Sequence, residues 1–165
     1  MADLITHACV AALFKAATGR RRVRTFIAGT LLPDLMARAP AMALSRVNRA
    51  LPALPDELVY LFAPLHLPAG MLPAAFAISL LFPAGQRRET FGNLLGGMLL
   101  HLAVDLLQTH YTPGYRLLFP LSDAAFELGL IGSEDSVRAA PVLVLLVIVA
   151  WWPRRTPPAQ SDVNA

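Results

Sequence analysis

Residues 91–107 read FGNLLGGMLLHLAVDLL, and this stretch decides the predicted fold. Apolar side chains fill most of it, and its only ionisable residues, His101 and Asp105, stand four positions apart. Residues at i and i+4 lie on one face of an α-helix, about one turn apart. The stretch therefore predicts a buried helix that carries a histidine and an aspartate on the same face.

Four more apolar segments predict further helices. They are Leu4 to Ala17, Thr25 to Leu44, Leu58 to Phe82 and Ala139 to Trp152. The third of these contains Pro64, Pro68 and Pro73, which remove backbone donors and break an α-helix. The sequence thus predicts an all-α fold in residues 1–153, a bundle of about four to five helices with one broken by proline.

The composition favours an integral membrane protein. Of the 165 residues 56% are apolar and 15% are charged, and the mean hydropathy is +0.54, whereas a soluble domain carries roughly a quarter charged residues. Arginines cluster at the ends of the apolar segments, as they do in cytoplasmic loops; the clusters are Arg20–Arg24, Arg87–Arg88 and Arg154–Arg155. This pattern predicts a multi-pass protein of the bacterial inner (plasma) membrane, with its N-terminus outside and its C-terminus cytoplasmic.

The charge distribution, the cysteine content and the C-terminal residues give further expectations. The lipid bilayer is the expected partner, and nucleic acid is not, because the basic residues form no continuous face. The single cysteine, Cys9, excludes an intrachain disulfide. Residues 154–165 begin with arginines and prolines and continue with polar residues, which predicts a disordered cytoplasmic tail. The oligomeric state is left open.

Five ionisable residues lie inside the apolar segments. They are His7, Asp34, His66, His101 and Asp105. Such side chains are costly in apolar surroundings, so each is a candidate for a functional role. Under the predicted topology all five fall in the outer half of the bilayer, which predicts one shared site. Mixed histidine and aspartate ligands suit zinc, manganese, nickel or iron, with zinc as the expected ion.

Each of the five residues also has a structural interpretation that the sequence leaves open. The interpretations are a hydrogen bond between His101 and Asp105, an ion pair between Asp34 and Arg38, a kink-stabilising hydrogen bond for His66 and an interfacial position for His7.

Several short motifs follow one another along the chain. They are Thr6-His7, Gly29-Thr30-Leu31-Leu32-Pro33-Asp34, His66, the pair His101 and Asp105, and Leu117-Leu118-Phe119-Pro120-Leu121-Ser122. In order and spacing they resemble the bacterial family of membrane-bound metal-dependent hydrolases. The resemblance implies a helical inner-membrane fold. Its HxxxD element is similar to that of zinc-dependent phospholipases C, which implies an ester or phosphoester substrate, lipids included.

Two regions depart from the family pattern. Met36 stands where the family carries a second aspartate, and Leu61 and Leu67 replace a histidine and a serine close to His66. These changes remove candidate ligands. The sequence therefore predicts one metal, or a degenerate site, rather than the two-metal clamp that holds attacking and leaving oxygens.

The predicted function is that of a metal-dependent hydrolase. A bound metal lowers the pKa of its water toward about 7, which delivers a nucleophile to the ester. Asp34 or Asp105 is the expected catalytic base, and Tyr111, Tyr115 or Arg116 is expected to orient a lipid headgroup. The alternative is a non-catalytic membrane protein, in which the buried histidines and aspartates join helices or line an ion or proton path.

Overall fold

A computed structural model describes residues 3–19, 21–50, 56–109 and 114–152. Six α-helices follow in order: α1 (Leu4–Thr18), α2 (Val23–Pro33), α3 (Ala39–Ala50), α4 (Pro68–Ser79), α5 (Ala84–Leu106) and α6 (Ser133–Trp151). A π-helical segment (Asp34–Arg38) joins α2 to α3, and a 3-10 segment (Asp56–His66) precedes α4. These ranges contain isolated bridges but no β-strand. The predicted all-α class is confirmed, whereas the described residues form six α-helices and not four to five.

The first helix is fixed by its caps. Asp3 accepts a 2.7 Å hydrogen bond from the backbone N–H of Thr6, which satisfies one of the unpaired donors of the first turn. Gly19 follows the helix with a φ of +130°, a conformation that favours glycine, and donates to the carbonyl of Lys15. The chain then turns back into α2, and α1 packs against both α2 and α6.

The helical path stays continuous through Pro33, where an α-helix would be expected to kink. A proline ring clashes with the carbonyl four residues before it and cannot donate to it. Here the next five residues, Asp34–Arg38, widen into a π-helix before α3 begins. Short π segments of this kind accommodate an irregularity in the helical backbone without ending the helix. Asp34 is buried at the point where α2 passes into the π-helical segment.

The predicted break in the third segment is also present, although its form differs from a bent α-helix. The 3-10 segment ends at His66, Leu67 is extended, and α4 begins at Pro68, where the missing proline donor costs nothing. A Cβ on Gly70 would clash with the backbone of Pro64. This tight reversal holds His66 against the bundle.

Two glycines allow α2 and α5 to touch along their backbones. A Cβ on Gly97 would clash with the backbone of Phe26 and Thr30, and one on Gly29 would clash with Leu94. The two helices run in the same direction, since Arg22 contacts Glu89 near their beginnings and Asp34 approaches His101 near their ends. Close helix contact of this kind requires small residues.

The apolar core lies between α4 and α5. It consists of Met71, Ala75, Leu94, Met98 and Leu102. On the other side, the indole N–H of Trp151 in α6 donates a 3.2 Å hydrogen bond to the carbonyl of Ala12 in α1. The bundle is therefore held on both sides of the polar cluster described below.

The segment after α5 returns to the end of that helix. The backbones of Leu128 and Leu130 donate to the carbonyls of Leu106 and Leu107 over 2.8 Å each. Tyr115 and Phe126 exchange two backbone hydrogen bonds of 2.9 and 3.0 Å. These bonds fix the position of Tyr115 beside the last turns of α5.

The structure corrects the predicted location. Among the described residues, no helix combines the length and the apolarity that crossing a bilayer requires. The two longest helices, α5 and α6, carry charges in their first two turns, which shortens their apolar stretches: Arg87, Arg88 and Glu89 in the first, and Glu134, Asp135 and Arg138 in the second. The others have 15 residues or fewer, against roughly 20 for a span.

The prediction of a multi-pass inner-membrane protein, with its N-terminus outside and its C-terminus cytoplasmic, is therefore wrong. The placement of the five ionisable residues in the outer half of a bilayer is wrong with it. The composition is a poor guide to the location because it counts apolar residues without regard to how they are distributed among the helices. Two predictions lie outside the described residues: the tail at 154–165 and the role of Tyr111.

Candidate metal centre

The five residues singled out in the sequence converge on one place in the bundle. His7 comes from α1, Asp34 from the π-helical segment, His66 from the end of the 3-10 segment, and His101 and Asp105 from α5. All five are buried. His7 and Asp105 are 98 positions apart in sequence, and the packing of α1 and α2 against α5 brings them together.

Three of the possible ligand atoms lie close to one another. The Nε2 atoms of His66 and His101 are 3.1 Å apart. Oδ2 of Asp105 lies 3.1 Å from the first and 3.4 Å from the second. These three residues, His66, His101 and Asp105, are called the inner triad below. The i, i+4 spacing predicted from the sequence does place His101 and Asp105 on the same face.

The spacing of the inner triad suits a tetrahedral metal. Ligands bound about 2.0 to 2.2 Å from zinc lie roughly 3.3 to 3.6 Å from one another. The observed separations of 3.1 to 3.4 Å need to open by only a few tenths of an ångström. Two nitrogens and one oxygen also form a ligand set that zinc accepts.

His7 extends this cluster on the other side of the Asp105 carboxylate. Its Nε2 lies 3.2 Å from Oδ1 of Asp105. The two atoms lack the alignment of a hydrogen bond, and neither has another hydrogen-bond partner among the described residues. The His7 ring is instead stacked on the His101 ring, with 3.8 Å between centroids and 22° between planes. The carboxylate of Asp105 therefore faces His7 with one oxygen and the other two histidines with the second.

Asp34 lies at the edge of the cluster. Its Oδ1 is 4.0 Å from Nε2 of His101 and 3.9 Å from Nδ1 of His66. Arg38 approaches the same oxygen, with its Nη1 at 3.9 Å. None of these is a hydrogen bond, and Oδ1 has no hydrogen-bond partner among the described residues. The ion pair with Arg38 that the sequence left open is thus a long one.

Tyr115 reaches into the cluster from the return segment. Its hydroxyl donates a 2.6 Å hydrogen bond to Oδ2 of Asp105 and lies 3.5 Å from Nε2 of His66. The Tyr115 ring stacks on that of His66, with centroids 5.4 Å apart. Burial is the main reason that the pKa of Tyr115 lies above its usual range, and the negative charge of Asp105 raises the pKa further. The tyrosine is therefore a neutral donor to the site.

The electrostatics of the site favour an ionised Asp105. Burial alone would raise the pKa of this carboxyl, but the imidazoles of His101 and His66 outweigh it and hold the pKa well below the usual range. A carboxylate that stays charged in a buried position needs compensating donors or a cation. The cluster supplies donors from several sides.

The residues present fit a divalent metal ion. Two overlapping groups each bring three possible ligand atoms within 4.8 Å of one another: His7, His101 and Asp105, and Asp34, His66 and His101. In addition, Oδ1 of Asp34 and of Asp105 and Nε2 of His7 have no hydrogen-bond partner in the described part of the chain. Buried polar atoms are usually paired, and a missing ion is one explanation when they are not.

The structure also shows residues that the sequence did not single out. Gln108 is buried, and both atoms of its side-chain amide lack a hydrogen-bond partner within the described ranges. It stands three positions after Asp105, just beyond the end of α5, so its spacing can be read from the sequence. The contact of Tyr115 with Asp105 left no such signal, because it depends on how the return segment folds.

Comparison with known proteins gave no match: none of the family models, curated proteins or solved structures that were searched is similar to this chain. The resemblance drawn from the sequence motifs therefore stays a prediction.

Proposed function

We propose that this protein is a metal-dependent hydrolase that acts on an ester or phosphoester. The observation that carries the proposal is the inner triad, in which two imidazole nitrogens and a carboxylate oxygen lie 3.1 to 3.4 Å apart in a buried position. His66, His101 and Asp105 would hold the ion, with zinc the expected metal. His7 and Asp34 are the candidates for further ligands.

A metal at this place supplies the chemistry that the side chains lack. When bound, it polarises the substrate oxygen and makes a water molecule acidic enough to act as a nucleophile near neutral pH. The protein's own contribution is a buried position and fixed ligands. Catalytic metal sites use three protein ligands and keep a position open for water or substrate, a pattern that the inner triad fits.

The two aspartates named as catalytic in the sequence have different surroundings. Both oxygens of Asp105 face histidines, and Oδ2 also accepts from Tyr115, so Asp105 suits a ligand. Asp34 keeps an oxygen without a hydrogen bond, 3.9 to 4.0 Å from two of the histidines. Asp34 is therefore our candidate for the group that takes a proton from the attacking water.

A structural role for the cluster is the competing hypothesis. His66, Asp105 and Tyr115 already form hydrogen bonds to one another, and such a network can join helices without a metal. The two hypotheses differ in what they predict for metal content. A structural network predicts none, and a hydrolase predicts a metal that depends on the inner triad.

The test is metal analysis of the purified full chain, together with two near-isosteric variants, His101→Gln and Asp105→Asn. We expect about one divalent ion per chain in the wild type and a strong loss in both variants. Thr90→Val is the matched control, because Thr90 is also buried on α5 and its hydroxyl has no hydrogen-bond partner in the described residues.

Hydrolysis of a para-nitrophenyl phosphodiester gives the second readout. The wild type and Thr90→Val are expected to cleave it, and a chelator is expected to abolish the cleavage until metal is added back. Folding of every variant is checked by circular dichroism. A wild type that is folded but contains no metal, and that gains no activity from added zinc or manganese, would contradict the proposal.

A further inference from the structure

A groove of about 410 Å³ runs along one face of α3, next to the metal centre. It is lined by Arg38, Ala41, Met42, Ser45, Arg46 and Arg49. The spacing of three and four residues puts these side chains on one side of the helix. Three of the six are arginines, and no acidic residue is among them.

Two of the three arginines of this groove, Arg46 and Arg49, carry positive charge that no described residue compensates. Arg46 and Arg49 are exposed, and neither forms an ion pair with a residue in the described ranges. They stand three positions apart, where like charges on a helix repel each other. A bound anion would relieve this repulsion, and the planar arginine side chain suits phosphate in particular.

The groove approaches the edge of the candidate metal centre through Arg38. Arg38 lines it and also lies 3.9 Å from Oδ1 of Asp34, which in turn lies 4.0 Å from Nε2 of His101. From Arg38 to Arg49 the helix rises roughly 16 Å. A molecule that placed one group at the metal centre would therefore extend along the other two arginines.

The floor of the groove is apolar. Ala41 and Met42 lie between Arg38 and the two outer arginines, and about half of the Met42 surface is exposed. The hydroxyl of Ser45 donates to the carbonyl of Ala41 over 2.8 Å, so its hydrogen is already used. The groove thus combines cationic ends with an uncharged middle, which suits a molecule with two separate anionic groups.

We infer that this groove binds a second anionic group of the substrate, so that the protein acts on phosphoesters that carry a further phosphate or carboxylate. The inference rests on the proposed function for the metal centre. Arg38 takes the phosphate that is to be cleaved, and Arg46 and Arg49 take the remote anion. The binding of the remote anion is electrostatic and is expected to weaken with salt.

The first test measures anion binding apart from catalysis. Binding of tripolyphosphate to the chelator-treated full chain is measured by calorimetry for the wild type and for the double variant Arg46→Gln/Arg49→Gln. We expect a loss of affinity of roughly tenfold or more, since each charge-assisted contact contributes measurably. The matched control is Arg24→Gln/Arg88→Gln, which removes two exposed arginines away from the groove and is expected to change affinity less than about twofold.

The second test uses a pair of para-nitrophenyl phosphodiesters whose other ester group is an alkyl chain with or without a terminal phosphate. In the wild type, the terminal phosphate is expected to raise kcat/KM about tenfold, mainly through KM. In Arg46→Gln/Arg49→Gln this advantage should disappear. Metal content is measured in parallel and is expected to be the same in all variants.

The outcomes separate the two proposals. If the chain holds metal and cleaves both esters equally well, and if tripolyphosphate binds all variants alike, the groove inference is overturned and the proposed function stands. If the chain holds no metal but the groove variant loses tripolyphosphate binding, the groove binds anions and the hydrolase proposal fails. A loss of affinity equal to that in Arg24→Gln/Arg88→Gln would show general charge attraction and overturn the inference.

Discussion

The hydroxyl of Tyr115 donates a 2.6 Å hydrogen bond to Oδ2 of Asp105, the oxygen that also faces His66 and His101. The return segment after α5 thus contacts the inner triad through the side chain of Tyr115. Partners of this kind orient metal ligands and contribute to metal affinity.

Replacement of this tyrosine should weaken metal binding without removing it. In Tyr115→Phe the ring that stacks on His66 remains and only the hydroxyl is lost. We expect metal affinity to fall about tenfold, the lower end of the range for such partners. Competition with a chromogenic chelator measures it. Unchanged affinity together with unchanged stability would mean that the hydrogen bond contributes nothing to the site.

Replacement of Asp34 should separate metal binding from catalysis. Asp34→Asn keeps the shape of the side chain but can no longer accept a proton. If Asp34 is the base, we expect kcat to fall about a hundredfold or more while metal content remains close to that of the wild type. The measurement is steady-state hydrolysis with metal analysis of the same sample. A parallel loss of metal and activity would instead make Asp34 a ligand.

The contact between α2 and α5 should not tolerate a methyl group at Gly97. A Cβ there would clash with the backbone of Phe26 and Thr30, so we expect Gly97→Ala to lower the free energy of unfolding by about 1 to 3 kcal/mol. Gly92→Ala is the control on the same helix, because a Cβ at Gly92 meets nothing within 4 Å. It should raise stability by about 0.5 to 1 kcal/mol. Urea unfolding of both variants tests the pair.

The low pKa of Asp105 predicts a specific dependence of stability on pH. An aspartate in the unfolded chain has a pKa of about 3.9, and the pKa in the folded protein lies below it because the histidines outweigh burial. The unfolded state therefore binds more protons, so the stability contributed by this carboxylate is complete above about pH 5 and falls as the pH drops below 4.

Asp105→Asn lacks this titration and provides the comparison. Unfolding of the chelator-treated wild type and of the variant is followed from about pH 3 to 6. The wild type should lose more stability than Asp105→Asn as the pH is lowered. Parallel curves for the two proteins would contradict the assignment of an unusually acidic carboxyl to Asp105.

The sequence was informative about the site because polar residues are rare in its apolar segments. His7, Asp34 and His66 were selected for that reason alone, and the structure places all three beside His101 and Asp105. Their distances were beyond prediction, because they depend on where α1 and the 3-10 segment pack. The predicted location is wrong because the apolar segments do not form single spans; charges and prolines limit them to shorter or less apolar helices.

The arginines of α3 illustrate a second limit. Arg38, Arg46 and Arg49 stand at positions that share one helical face, and this spacing could be read from the sequence. The second apolar segment, Thr25 to Leu44, predicts one membrane helix that includes Arg38 and ends before Arg46 and Arg49. The sequence therefore does not predict one helix that carries all three arginines. The shared face becomes apparent only in the structure, where α2 ends at Pro33 and α3 begins after the π-helical segment.

The π-helical segment connects the polar cluster around Asp34 to the groove on α3. Each residue of an α-helix turns the chain by about 100°, so the wider turn at Asp34–Arg38 determines which side of α3 follows the buried Asp34. The wider turn takes up one extra residue, so the loss of one residue here would restore a regular α-helix and leave Arg46 and Arg49 on nearly the same side of the axis. An extra residue between Pro33 and Ala39 is thereby accommodated without rotating α3 relative to the polar cluster.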